Sequence, residues 1–144
     1  MTYRVLNAEE AYGFWGTSLQ GVIQADYEEL VQVFGKPDPN LTDGYKTDVE
    51  WCVEVQEEDG HTHVVFIYNW KDGENYLGAN GLRVWDMKEW HIGGKSPENV
   101  TQIREILESA DKELEHRQAA LFRKNRRWDS HQGRLMRHPA AREK

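Results

Sequence analysis

The sequence has little cysteine, little proline and no long hydrophobic run. It contains one cysteine, Cys52, and four prolines in 144 residues. A single cysteine cannot form an intrachain disulfide. Because Cys52 stands in an apolar run without a basic neighbour, we predict a core residue and not a nucleophile. No run reaches the ~18 apolar residues of a membrane-spanning helix. The N-terminal stretch lacks the apolar centre of a signal peptide, so we expect a cytoplasmic protein without a membrane partner.

The composition is that of a small domain with a well-hydrated surface. Hydrophobic residues make up 38% of the chain and charged residues 30%, with six tryptophans and six tyrosines. A chain of this length forms one domain by the usual size range and buries roughly 68–70% of its unfolded surface. The core therefore needs neither disulfides nor a metal ion.

The net charge of −7 conceals a marked asymmetry along the chain. Residues 1–115 contain 9 basic and 23 acidic side chains, a net charge of −14, whereas residues 116–144 contain 9 basic and 2 acidic ones, a net charge of +7. A basic end on an acidic body suggests either anion binding or docking onto an acidic neighbour.

The first half of the chain predicts a strand and then a short helix. Residues 17–25 are typical of a strand, and Asp26 is a good N-cap for a helix over residues 27–34. Gly35, followed by a proline at position 37, ends that helix. Residues 49–55 alternate apolar and polar side chains, and residues 63–70 are rich in β-branched and aromatic ones. With a turn at 57–60 they predict a β-hairpin.

The second half predicts a loop, short strands and a long helix. We expect a loop over residues 71–81, one or two strands in 82–90, and a helix that begins at Ser96 and Pro97. Its apolar residues recur at spacings of three and four, which favours a core-facing helix over a dimeric coiled coil. The fold class is therefore α+β: an antiparallel sheet, a short helix before the central hairpin, and a long C-terminal helix. We predict one domain over residues 1–128 and a flexible basic tail over 129–144.

The segment Gly93-Gly94-Lys95-Ser96 resembles part of a phosphate-binding loop. A Walker A loop also needs glycine at position 89, which is Glu89 here, so we reject an ATPase. Two interpretations remain: an anion site at a helix N-terminus, or two glycines that only make a tight turn, which is the one we favour.

Histidine and acidic side chains give no recognisable catalytic or metal motif. The six histidines lack zinc-site spacing, so we expect neither a metal nor a cofactor. An acidic group near the ends of the hairpin is interpreted as a solvated face, with a small metal-dependent hydrolase as an alternative. Its members are Asp43, Asp48, Glu50, Asp72 and Glu74.

Two sets of residues are candidates for binding. Tyr68 or Trp70 could stack on a ligand, Asn69 could read a hydrogen-bonding edge, and the lysines could neutralise phosphate. Packing in the core competes with this hypothesis for Trp70. The full hypothetical ligand site is Lys46, Tyr68, Asn69, Trp70, Lys71, His91, Lys95 and Ser96. The hypothetical partner or nucleic-acid site is Arg123, Lys124, Arg126 and Arg127.

Five motifs give the chain a family resemblance. They are WGTSLQG (residues 15–21), FGKP (34–37), DGYKTDVEW (43–51), IYNWK (67–71) and WHIGGKS (90–96). Together, over residues 12–100, they resemble a group of small proteins of tailed phages. The helix, FGKP turn and hairpin are also similar to BamE-like and β-lactamase-inhibitor-like binding domains.

The resemblance implies a non-catalytic binding protein. Small phage proteins of this kind inhibit host defence, either by occluding a host protein or by sequestering a nucleotide-like ligand. We expect a homo-oligomer, in the host cytoplasm if the protein is phage-encoded. A nucleic-acid-binding accessory protein that uses residues 117–128, and the hydrolase, are the alternatives.

Overall fold

The computed structural model describes residues 1–14 and 16–131, and the side chains of residues 1–14 and 16–124. This part of the chain contains five strands and four helices. The strands are β1 (Thr2–Leu6), β2 (Ser18–Gln24), β3 (Glu50–Gln56), β4 (Thr62–Tyr68) and β5 (Glu89–Gly94). The helices are α1 (Ala8–Ala11), α2 (Tyr27–Phe34), α3 (Glu74–Leu77) and α4 (Glu98–His131), with 3₁₀ turns at Gly78–Asn80 and Val84–Asp86.

The strands form one antiparallel sheet in the order β1-β3-β4-β5-β2. The predicted α+β class is confirmed, together with the short helix before the central hairpin and the long C-terminal helix. In the β3–β4 hairpin, Glu50 lies opposite Tyr68 and Gln56 opposite Thr62. This register decides which side chains share a face of the sheet, because directly opposite residues point the same way.

One face of the sheet is covered and forms the core. Alternate residues of the hairpin, among them Trp51 and Ile67, are at most 1% exposed, and residues of α2 and the first turns of α4 belong to the same cluster. The indole N–H of Trp51 donates to the carbonyl of Gly35 at 2.8 Å, and that of Trp90 donates to Ala25 at 2.9 Å. The predicted alternation of β3 is thus confirmed.

The opposite face is covered only in part. Leu6, Ala11 and Cys52 form a small second cluster there, so the prediction of Cys52 as a buried residue is confirmed. Burial, followed by the nearby acidic side chains, raises the pKa of the Cys52 thiol to about 12. Farther along the same face, Glu50, Tyr68 and His91 form a row across three strands and remain partly open to solvent.

Three expectations about the strands need correction. β1, which pairs with β3, was not predicted, because a five-residue strand carries little alternation. The strand expected within residues 82–90 begins at Glu89 and continues to Gly94. Gly93 and Gly94 therefore lie in a strand and do not form a tight turn. A Cβ at Gly93 would come within 3.1 Å of the Tyr68 ring, and one at Gly94 would overlap the Asn99 amide.

The boundary between two compact units falls within the long helix α4. Met1–Leu107 forms the first, which holds the sheet and the core, and the second begins at Glu108. In the second unit Leu114 and Leu121 are exposed. The predicted domain boundary at residue 128 stays a prediction. In the described part of the chain, no helix combines the length and the apolar character needed to cross a membrane.

Candidate functional site

An open depression of about 330 Å³ lies on the second face of the sheet, where β3 and β4 meet the loops. Its volume is at the lower end of the range for small-molecule sites. Aromatic rings, two carboxylic acids and three hydroxyl side chains line it. They are Thr17, Ser18, Leu41, Asp43, Thr47, Glu50, Phe66, Tyr68 and Trp70.

Glu50 carries the unusual chemistry of this depression. Burial, and then the charge of Asp43, raise the pKa of its carboxyl from 4.5 to about 7. Within the described residues the carboxyl group has neither a hydrogen bond nor an ion pair. Ionising a partly buried carboxyl group that has no cation beside it costs free energy, which is why its pKa rises. Groups with strongly shifted pKa values occur preferentially at functional sites.

Asp43 is held in place by its own loop. Its Oδ1 accepts hydrogen bonds from the backbone N–H groups of Tyr45, Lys46 and Thr47 at 2.9, 2.9 and 3.2 Å. These bonds, that from Tyr45 first, lower the pKa of Asp43 and keep it ionised. All hydrogen bonds to this carboxylate among the described residues involve Oδ1, so Oδ2 retains its capacity to accept.

The aromatic wall is formed by Tyr68 and Trp70. Their rings meet edge to face at 6.1 Å, and on its other side Tyr68 contacts the ring of His91 at 5.6 Å. Burial, followed by the charge of Glu50, raises the pKa of the Tyr68 hydroxyl. Trp70 is 40% exposed, so its indole is not a core residue and is available for contact.

Two lysines flank the Trp70 indole at the rim. The Nζ atoms of Lys46 and Lys71 lie 5.6 and 5.7 Å from its ring centre, which is within cation–π range. Lys71 is the one non-glycine residue with positive φ in the described part of the chain, at 59°. Its backbone N–H donates to the carbonyl of Lys46 at 2.8 Å, which fastens the two loops together.

The side chain of Asn69, our candidate for reading a hydrogen-bonding edge, is fully buried, and its amide is engaged in hydrogen bonds within the protein. Its Oδ1 accepts from the backbone N–H groups of Asp48 and Val49 at 2.7 and 3.2 Å. Its Nδ2 donates to the carboxylates of Asp48 and Asp72 at 2.8 and 3.0 Å. Asp48 also accepts from the N–H of Asn75 at 3.2 Å. We call these five residues the Asn69 cluster.

The candidate ligand residues fall into two separate places. Lys46, Tyr68, Trp70 and Lys71 meet at the depression, and His91 adjoins it. Lys95 and Ser96 follow β5, and Lys95 lines a second depression that shares Thr17 with the first. Ser96 caps α4: its Oγ accepts from the N–H of Glu98 at 3.2 Å. Continuing the β4–β5 register puts Lys95 about six residues from Trp70 along the strands, roughly 20 Å away.

The remaining candidates stay predictions. Arg123 and Lys124 are exposed on α4, while the side chains of Arg126 and Arg127 lie outside the described ones, as does Trp15. Of the acidic group, Asp43, Asp48 and Asp72 bind loop backbone or side-chain amides. Among residues 1–14 and 16–131, no three histidine, cysteine or acidic side chains come together as metal ligands would.

Sequence reasoning missed several residues of the depression. Thr17, Ser18, Thr47 and Phe66 gave no signal, since isolated hydroxyls and strand aromatics are common. Glu50 was noticed only as one acid among many. The hairpin turn fixes the register of β3 and β4. With that register, the sequence alone would have placed Glu50 opposite Tyr68 on the partly open face.

The depression collects residues from distant parts of the sequence. Four of the five motifs meet there. WGTSLQG supplies Thr17 and Ser18, and DGYKTDVEW supplies Asp43 and Glu50. IYNWK supplies Tyr68 and Trp70, and WHIGGKS places His91 beside Tyr68. Compared with family models, with curated proteins and with solved structures, the chain gives no match.

Proposed function

We propose that this chain is a non-catalytic binding protein that holds a protein partner at the aromatic and acidic depression. The observation that carries the proposal is the convergence there of four separate segments around Glu50, a carboxyl group without a partner. An unpaired carboxyl group in a partly buried place destabilises the free protein. A partner that supplies a positive charge or a hydrogen bond to it therefore stabilises the complex. With the resemblance to phage proteins, the partner would be a host defence protein that is inhibited by occlusion.

The nucleotide-sequestering version fits this place less well. A phosphate group would meet the carboxylates of Asp43 and Glu50 inside the depression. The cations that it needs lie at the rim, where the ammonium groups of Lys46 and Lys71 already face Trp70. The third lysine of that hypothesis, Lys95, lines a neighbouring depression that shares Thr17 with this one.

A pair of tryptophan substitutions tests the proposal. Trp70 and Trp85 are both exposed, by 40% and 59%, but only Trp70 lines the depression. Tagged wild-type protein, Trp70→Ala and Trp85→Ala are expressed in a bacterial host, and the proteins they retain are identified and purified. Mixing purified components and measuring the native mass then gives the stoichiometry of the complex.

We expect the wild type and Trp85→Ala to form the same stoichiometric complex, and Trp70→Ala to lose it. A complex that survives Trp70→Ala but not Trp85→Ala would move the site to the other loop. Turnover of a substrate by the purified protein, abolished by Glu50→Gln, would contradict a non-catalytic role.

A further inference from the structure

The depression also indicates which chemical group occupies it, an inference that rests on the proposed function. We infer that it receives the guanidinium group of an arginine side chain from a protein partner, with the Glu50 carboxylate as its counter-ion and the Tyr68 and Trp70 rings as its walls. Three features of the lining support this: its charge, its aromatic wall and its acceptors.

The first feature is charge. Asp43 and Glu50 both line the depression, and no basic side chain within the described residues forms an ion pair with either of them. The ammonium groups of Lys46 and Lys71, on neighbouring loops, lie over the Trp70 ring, and that of Lys71 also lies over the ring of Tyr76. The interior therefore lacks one positive charge, which an arginine would supply.

The second feature is the shape of the wall. Tyr68 and Trp70 both line the depression and meet edge to face, and Trp70 is 40% exposed, so aromatic surface borders the open space. A planar guanidinium group can lie flat on an aromatic ring and also bind a carboxylate through two parallel N–H groups, whereas an ammonium group interacts with either one as a compact point charge. The aromatic surface thus favours arginine over lysine.

The third feature is the number of acceptors. A guanidinium group has five N–H donors and no acceptor. Besides the two carboxyl groups, three residues with hydroxyl side chains line the same space, namely Thr17, Ser18 and Thr47. A depression of about 330 Å³ accommodates a side chain and not a folded segment, which is why the inference concerns one residue of the partner.

The state of the Glu50 proton makes the inference measurable. The titratable groups that face Glu50 are Asp43 from the preceding loop, Tyr68 from β4 and Cys52 from its own strand. A bound cation stabilises the ionised carboxyl, so binding must lower the pKa of Glu50 from about 7. By linkage, affinity must weaken as the pH falls below that value.

The experiment uses blocked arginine (N-acetyl-arginine methylamide) as the probe and blocked citrulline, which has the same shape without the charge, as its control. NMR of the full chain follows the amide groups of Tyr68 and Trp70, and the side-chain carboxyl of Glu50, during titration. Glu50→Gln is compared with Glu54→Gln, which removes the same charge from the same face of β3. Adenosine monophosphate tests the nucleotide alternative.

We expect blocked arginine to bind at the depression about tenfold more tightly than blocked citrulline, as for a hydrogen bond to a charged group. Glu50→Gln should abolish that difference, Glu54→Gln should keep it, and the Glu50 pKa should fall when the probe is bound. Equal binding of the two probes, or shifts confined to another surface, would overturn the inference. So would adenosine monophosphate binding that improves in Glu50→Gln.

The two proposals fail separately. If blocked arginine does not bind but the Trp70-dependent protein complex forms, the depression is a docking site for a different side chain. If blocked arginine binds through Glu50 while no protein complex forms, the chemistry of the depression is right and the proposed function is wrong.

Discussion

Replacing Glu50 with glutamine should stabilise the protein, by an amount that depends on pH. Burial and Asp43 raise the pKa of this carboxyl from 4.5 to about 7. Between those two pH values the folded chain holds a proton that the unfolded chain has released. Because the folded state then binds more protons, the free energy of unfolding falls as the pH rises through this window.

The structure sets the size of the effect. Raising the pKa from 4.5 to about 7 corresponds to roughly 3 kcal/mol. The carboxyl is only partly buried, so solvent screening reduces this to about 2 kcal/mol. Glutamine keeps the shape of the side chain and remains neutral. Glu50→Gln should therefore match the wild type near pH 4.5 and exceed its stability by about 2 kcal/mol near pH 8.

Urea denaturation of both proteins at about pH 4.5, 6 and 8 measures this difference, in which the titrations of all other groups cancel. Glu54→Gln is the control. Its carboxylate pairs with Arg4 at 3.5 Å, so its replacement should bring no gain in stability. A gain that is equal at every pH, or a loss of stability near pH 8, would refute the reasoning about Glu50.

Three further substitutions or treatments test the packing. Asn69→Ala should lower the free energy of unfolding by about 2–4 kcal/mol, because two backbone N–H groups lose their acceptor. Asn75→Ala, which changes an exposed side chain, is the control and should lower it by less than about 1 kcal/mol. Urea denaturation measures both. Gly94→Ala should cost about 1–3 kcal/mol by the same assay, since its Cβ would overlap the Asn99 amide. Cys52, with a thiol pKa of about 12, should resist a thiol reagent near pH 8 until urea unfolds the chain; rapid labelling of native protein would show that it is accessible.

The elements whose boundaries rest on local chemistry could be predicted from the sequence. Helix α2 spans the expected residues because Asp26 precedes it and Gly35, with a φ of 82°, ends it. The two central strands were found to within two residues, β3 because its side chains alternate with a period of two and β4 because it is rich in β-branched and aromatic residues. The limits of these elements are set by residues that are close in sequence, and tertiary contacts do not change them.

The features that depend on distant contacts could not be predicted. Gly93 and Gly94 looked like a turn, but the Tyr68 ring and the Asn99 amide require glycine there within a strand. Asn69 looked like an exposed amide between two aromatics, and only the loops that cross it explain its burial. Whether Trp70 faces the core or solvent depends on where β4 ends, which the alternation alone leaves open.

The Asn69 cluster has a consequence for the kinetics and affinity of binding. It joins the end of β4 to the segment before β3 and to the start of α3, and the carboxylate of Asp48 leaves no room for a side chain at Gly73. The strip of chain that presents Trp70 is thereby fixed before any partner arrives. Association with the proposed partner would then cost this protein little conformational entropy, so differences in affinity among partner variants should appear mainly in their dissociation rates.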